Sequence, residues 1–337
     1  PLFDGETITA EHERTDPSTA AGGYVWVGHV PGDPNSSVML SVVDEVLIGS
    51  ITLGGIEQTT IGYKNGRQLV QALDPNGRIE VEGPDTITAP VDSSQTPQEP
   101  TFCEDGSRVD LLVAYTPAAR VQEGGSAAIE ALINQRVAGM NSANKNSGLS
   151  FTFELVHVME TSYPETGDVR TDLQRLSYDG DGHLDDVVQA RDLHQADMVS
   201  LIIAQSKVNN SCGIAYAMQS LSTAYASSAF NVAALDYAGL PTCNPLTMAH
   251  EFGHNMGNHH DRANAGSYTV FPYSYGYQSP NSTFRTIMAY QCANAICPRI
   301  NHWSNPEITY LGETTGVDYE VSPGSAADNA RSMAQTA

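Results

Sequence analysis

The stretch His250 to Asp261, HEFGHNMGNHHD, constrains the local backbone more than any other part of this chain. His250 and His254 are four residues apart, which on a helix stacks both imidazoles on one face, one turn above the other. Two imidazoles on one rigid face make half of a zinc site. Glu251, next to the first histidine, is placed to reach a metal-bound water as general base. Gly257 supplies the positive φ with which a helix stops and the chain turns back, bringing His259 or His260 toward the same point. A glycine and a histidine at fixed spacing after HExxH leave chance a poor explanation. A structural zinc site would fill its fourth position with Cys or His from the chain, and only Cys103 is available for that.

Length and charge bound the rest. A chain of 337 residues is long for one core, so two domains are expected. No run of apolar residues is long enough to span a membrane. The excess of 39 acidic over 16 basic residues gives a net charge of -23, which repels nucleic acid and anionic membrane surfaces, so neither is expected as a partner. The chain opens at Pro1 without a charged-then-apolar leader, so any signal peptide is expected to have been removed or left out.

Residues 24–81 carry short alternating runs, YVWVGHV, SVMLSVV, VLIGSITL and RQLVQAL, broken by turn residues, which is an antiparallel β pattern. The stretch GPDTITAPVDSSQTPQEP that follows is rich in proline and poor in large apolar residues, as linkers are. Beyond it strands alternate with helices: RVDLLVAYT, a helix carrying Ile129, Leu132, Ile133, Val137 and Met140, then LSFTFELVHVME, a helix from Asp185 to Ala196, and the buried, parallel-type strand ADMVSLIIA. CGIAYAM and FNVAALDY are two more strands ahead of the histidine cluster. The expected divisions are a β-rich domain over 1–82, a linker over 83–104 and an α+β domain over 105–337.

The spacing H-E-x-x-H-x-x-G-x-x-H resembles the signature of the metzincin zinc metallopeptidases. That resemblance selects His260 over His259 as third ligand and implies a mixed twisted sheet with an active-site helix and a methionine turn, supplied by Met288 in RTIMAYQC. Asp261 is like the adamalysin (reprolysin) branch, whereas Tyr290 is like the astacins and serralysins, where that tyrosine steadies the oxyanion. The stretches VDLLVAYTPAAR, CGIAYAM, AHEFGHNMGNHHD and FRTIMAYQC are similar to the bacterial peptidyl-Asp metalloendopeptidases, secreted zinc proteases that cut before acidic residues. Residues 1–100 look like their pro-segment, an intramolecular inhibitor.

The resemblance implies that Gly213, Ile214, Ala215 and Tyr216 form an edge strand that pairs with the backbone of a protein or peptide substrate. An acidic side chain beyond the cut bond needs a cation, and Arg299, then Arg285, are the candidates; a surface salt bridge is the plain alternative for each. Cys212 with Cys243 and Cys292 with Cys297 make sensible disulfides in a secreted protein. Cys103 is left over. It is expected either to bind zinc in the latent form as a cysteine switch or to pair elsewhere, and the Glu104–Asp105 bond is a candidate activation site. DGDGHLDD invites a calcium reading, set against a turn followed by an acid-capped helix start. An inert metal-bound binding or adhesion module of the same fold is the competing function, although the intact Glu251 argues against it.

Overall fold

The computed structural model describes residues 7–20, 22–73, 82–88, 106–266 and 269–337. Six strands form the N-terminal sheet: β1 (Glu11–Pro17), β2 (Tyr24–His29), β3 (Ser37–Val43), β4 (Val46–Leu53), β5 (Glu57–Lys64) and β6 (Arg67–Leu73). They follow one another in sequence order and every pairing is antiparallel, as the alternating runs require. β1 and β5 lie in polar stretches, EHERTDP and EQTTIGYK, whose alternation was too weak to read.

Within the stretch expected as linker, β7 (Thr86–Thr88) is a strand of a second sheet. That sheet also holds β8 (Arg108–Tyr115), followed by α1 (Pro117–Glu123) and α2 (Ser126–Asn146), and then β9 (Thr152–Glu160). α3 (Val169–Ser177), α4 (Asp185–His194), β10 (Met198–Ser206), β11 (Gly213–Ala217) and β12 (Phe230–Tyr237) complete it in chain order. Its strands run β7-β11-β12-β10-β8-β9. β9, β8, β10 and β12 are parallel, and β11 turns antiparallel to β12, so the sheet is mixed. β10 is buried along nearly its whole length because helices cover both faces, which explains its unbroken apolar run.

One face carries α2 and the later helix α5 (Thr247–Asn255), packed through Ile129, Ile133, Met140, Met248, Phe252 and Trp303. The other carries α3 and α4, packed through Leu173, Leu176 and Val187. α2 is itself sandwiched. Its Ile129, Ile133 and Val137 meet the central sheet, while Ala128, Ala131 and Ala138 lie against Val43, Val46, Ile48, Val25 and Val27 of the N-terminal sheet. Polar ties cross the same boundary: Arg14 donates to the Ala138 carbonyl and Ser142, Gln135 donates to Ser50, and Tyr310 donates to the Gly55 carbonyl.

After α5 the chain has little regular structure: the short strands β13 (His259–Asp261), β14 (Tyr275–Gly276), β15 (Thr309–Tyr310) and β16 (Glu313–Thr314), then α6 (Asn329–Thr336). Two disulfides join the expected partners, Cys212 to Cys243 and Cys292 to Cys297. The first ties the start of β11 to the loop before α5. No helix among the described residues is long and apolar enough to cross a membrane.

Candidate metal centre and active site

α5 ends where the sequence requires it to end. Gly257 has φ +78°, its N–H donates to the His254 carbonyl, and Asn258 N–H reaches back to the Gly253 carbonyl. The chain then reverses into β13 and carries His260 back to the helix. Gly253 lets the methionine close beneath, since a Cβ there would stand 2.5 Å from Met288 Sδ. Met288 is fully buried.

His250, His254 and His260 converge. Each Nδ1–H donates to a backbone carbonyl, that of Ile287 at 2.9 Å, Asn258 at 2.8 Å and Asn264 at 3.4 Å respectively. Those bonds fix the tautomers, so all three Nε2 lone pairs point inward. Nε2 of His254 lies 3.2 Å from that of His250 and 3.1 Å from that of His260. Unprotonated nitrogens cannot hydrogen-bond to one another, so the cluster calls for a cation. The spacing is close to the separation of about 3.3 Å between ligands of tetrahedral zinc. His259 points elsewhere: it is buried, and its Nε2 has no hydrogen-bond partner among the described residues.

A fourth group faces the histidines that sequence reasoning did not single out. Asp85 is buried, with Oδ2 at 3.1 Å from Nε2 of His250 and Oδ1 at 2.9 Å from that of His260 and 3.6 Å from that of His254. These four residues form the one group of metal-ligating side chains found among the described residues. Burial opposes the Asp85 charge, and with the three Nε2 atoms unprotonated it is a bound cation that would offset that cost. Cys103, expected at this fourth position, lies outside the described residues, as do Glu104 and Asp105. No sequence signal marked Asp85, which sits in a stretch of turn composition.

Glu251 is buried one residue along α5, and its Oε2 has no hydrogen-bond partner among the described residues. Burial, and after it the charge of Asp85, pushes its carboxyl well above the usual range. A Cβ on Gly213 would collide with Glu251 Oε1, so the glycine at the start of β11 leaves room for this carboxylate. Tyr290 packs against His260, with ring centroids 4.1 Å apart and the planes tilted by 35°. Its hydroxyl donates to the Gly83 carbonyl at 2.7 Å, with Asp85 Oδ2 an alternative acceptor at 3.1 Å, and its backbone N–H is held by Asp261 at 3.0 Å.

Arg285 and Arg299 come together on the two chain segments that flank the loop closed by the Cys292–Cys297 bond, paired there in a parallel bridge. Both are buried, and both guanidinium groups contact one carboxylate, Glu82: Arg285 Nη1 pairs with its Oε1, and Arg299 Nη2 donates to the same oxygen at 3.0 Å. Gln291 N–H donates to Glu82 Oε2 at 2.6 Å. Arg285 is further fixed by the carbonyls of Cys297 and Ala289. Ile214, Ala215 and Tyr216 lie along β11, with Thr86 opposite Ala215 and Ile87 opposite Tyr216 in parallel register.

DGDGHLDD forms the turn before α4. Asp185 accepts the N–H groups of Gly180 and Gly182, and Asp181 accepts that of His183. Those carboxylates serve the turn and the helix start.

The family description "Metallo-peptidase family M12" matches residues 105–304. The chain is 30% identical to the peptidyl-Asp metalloendopeptidase of Xanthomonas campestris over 360 residues, 99% of this chain and 79% of that protein. The enzyme of the same name from Stenotrophomonas maltophilia is also 30% identical, over 98% of this chain and 79% of its own. A peptidyl-Asp metalloendopeptidase from Pseudomonas fragi is 45% identical over 65 residues, 19% of this chain and 44% of that one. A solved structure described as "Structure of a chaperone-substrate complex" shares the fold, with a TM-score of 0.51 at 19% identity; the match covers 85% of this chain but only 37% of that one. With its histidine cluster, its family match and relatives of this kind along nearly its whole length, the chain belongs to metallopeptidase family M12 and is a zinc metalloendopeptidase.

Proposed function

We propose that this chain is the latent precursor of a secreted endopeptidase that cuts peptide bonds on the N-terminal side of acidic residues. The observation that carries the reading is the pair of buried arginines, Arg285 and Arg299, converging on one carboxylate beside the turn of Met288 and Tyr290. A buried carboxylate demands such partners, and a pocket that provides two of them rejects side chains without a charge. Relatives named for cleavage at Asp support the same specificity.

His250, His254 and His260 would hold zinc, which supplies the Lewis acidity that makes a water nucleophilic near neutral pH and polarises the peptide carbonyl. Glu251 takes the proton from the attacking water at a carboxylate oxygen and passes it to the leaving amine nitrogen. The space left by Gly213 holds that carboxylate beside β11, whose edge would pair with a substrate strand once β7 has left it. Tyr290 donates its hydroxyl to the carbonyl oxygen as that atom gains charge. Tyr290→Phe therefore lowers kcat by about ten- to a thousandfold with little change in KM, because the lost donor acts in the transition state. A proportional fall in both constants, leaving kcat/KM unchanged, sinks that role.

In this reading residues 1–82 are a pro-domain, 83–104 the connection to a metzincin catalytic domain over 105–337, and the Glu104–Asp105 bond the activation site. Two disulfides support an oxidising, extracellular compartment. The test is a peptide-library digest by the processed enzyme and its arginine variants. The parent favours Asp after the cut, and Arg299→Ala and Arg285→Ala each erode that preference by about ten- to a hundredfold while cleavage of neutral peptides falls less. A parent that prefers bulky apolar residues there, or variants that keep the full Asp preference, refutes the assignment.

A further inference from the structure

Residues 82–88 meet, one after another, the groups that a substrate needs. Asp85 faces the three zinc-binding imidazoles. Glu82 sits between Arg285 and Arg299. The Gly83 carbonyl takes the Tyr290 hydroxyl, the Asp85 carbonyl takes the Ala215 N–H at 2.8 Å, and Thr86–Thr88 occupies the open edge of β11. The fit is close: a Cβ on Gly83 would collide with the carbonyl oxygen of Asn209.

We propose that residues 82–88 are a built-in inhibitor held by two carboxylates. Asp85 takes the fourth place at the metal, and Glu82 fills the acid pocket as an acidic substrate side chain does. The inference rests on the specificity reading above, and it assigns latency to Asp85 and Glu82, with no part required of Cys103.

The segment escapes hydrolysis for two reasons. The group facing the histidines is a side-chain carboxylate, which holds the place of the attacking water and offers no amide bond to break. The backbone also runs the wrong way. A substrate puts its acidic residue on the C-terminal side of the cut bond, whereas Glu82 precedes Asp85 in the chain. β7 is parallel to β11, so a substrate strand with its acid in the same pocket runs antiparallel to it.

The test uses the full-length chain loaded with cobalt(II) in place of zinc, in a Glu251→Gln background so that no self-processing occurs. Asp85→Ala shifts the visible ligand-field bands of the cobalt, because an oxygen ligand has been replaced by water. Glu82→Gln leaves those bands near the parental ones. Both variants speed amide exchange across residues 82–88 and at Gly213–Ala217. With Glu251 restored, zinc bound and the proposed activation site blocked by Asp105→Ala so that the chain stays intact, each raises activity on an Asp-containing peptide about ten- to a hundredfold, the value of a charge-assisted contact. If Asp85→Ala disturbs folding, Asp85→Asn keeps the shape and still weakens the metal contact. Cobalt bands unchanged in both Asp85 variants overturn the metal half of the latch. Unchanged exchange and latency in Glu82→Gln overturn the pocket half. Variants that gain activity but show no preference for acidic residues also overturn the mimicry by Glu82, and with it the specificity reading, while leaving Asp85 as the metal-facing anchor.

Discussion

Glu251→Gln keeps its zinc and loses about 10² to 10⁴ of its turnover, the range expected when a positioned general base is removed. The amide is nearly the size of the carboxylate, so the space between α5 and Gly213 is still filled and the helix is undisturbed. The three imidazoles do not depend on Glu251 for their orientation, because each is held through Nδ1 by a backbone carbonyl. Metal content by atomic absorption should match the parent, and thermal unfolding should not weaken, since a neutral amide of the same shape replaces a carboxyl that burial already disfavours as an anion. Under the proposed self-processing the variant would stay unprocessed, so the comparison uses both enzymes processed in trans. A variant that retains its metal and cleaves at the parental rate shows that the water is deprotonated by another group.

Chelation has a second large effect, on stability. With zinc removed, three lone pairs and the Asp85 carboxylate are left in a buried space with no cation between them. At a free zinc concentration a thousandfold above its dissociation constant, binding stabilises the native state by about 4 kcal/mol, so the unfolding midpoint should fall by several degrees on stripping and recover with zinc. His254→Ala should start from the lower midpoint and gain nothing from added zinc, as its imidazole is the one that approaches both of the others. Equal midpoints with and without metal would mean that zinc does not occupy this cluster.

The histidines were legible because a helix imposes its own geometry: residues at i and i+4 share a face whatever surrounds them, and Gly257 marks where that face ends. Strands such as β3, β4 and β10 were legible because their alternation or unbroken apolar run states how many faces are covered. Asp85 was not legible. It lies 165 residues before His250, and nothing within EGPDTIT separates a ligand from a turn aspartate. Its role exists only once β7 has registered against β11. Glu82 escapes for the same reason, although Arg299 and Arg285, which hold it, are the sequence's candidates for binding a carboxylate. The opening of α3 also escaped, because its signal is one Asp168 side chain accepting the Arg170 N–H in a polar stretch.

The alanines on the outward side of α2 bear on how the two sheets part. Each presents little more than a methyl group, worth roughly 0.8 kcal/mol when buried, to the N-terminal sheet. Of the larger branched residues at that boundary, Val43, Val46 and Ile48 are carried by the sheet and Leu132 alone by the helix. Were this sheet shed, as the proposed processing requires, most of the branched apolar surface at the boundary would leave with it. What would stay behind is a helix flank of methyl-sized steps around the single Leu132 side chain, a small apolar area for any other surface to grip.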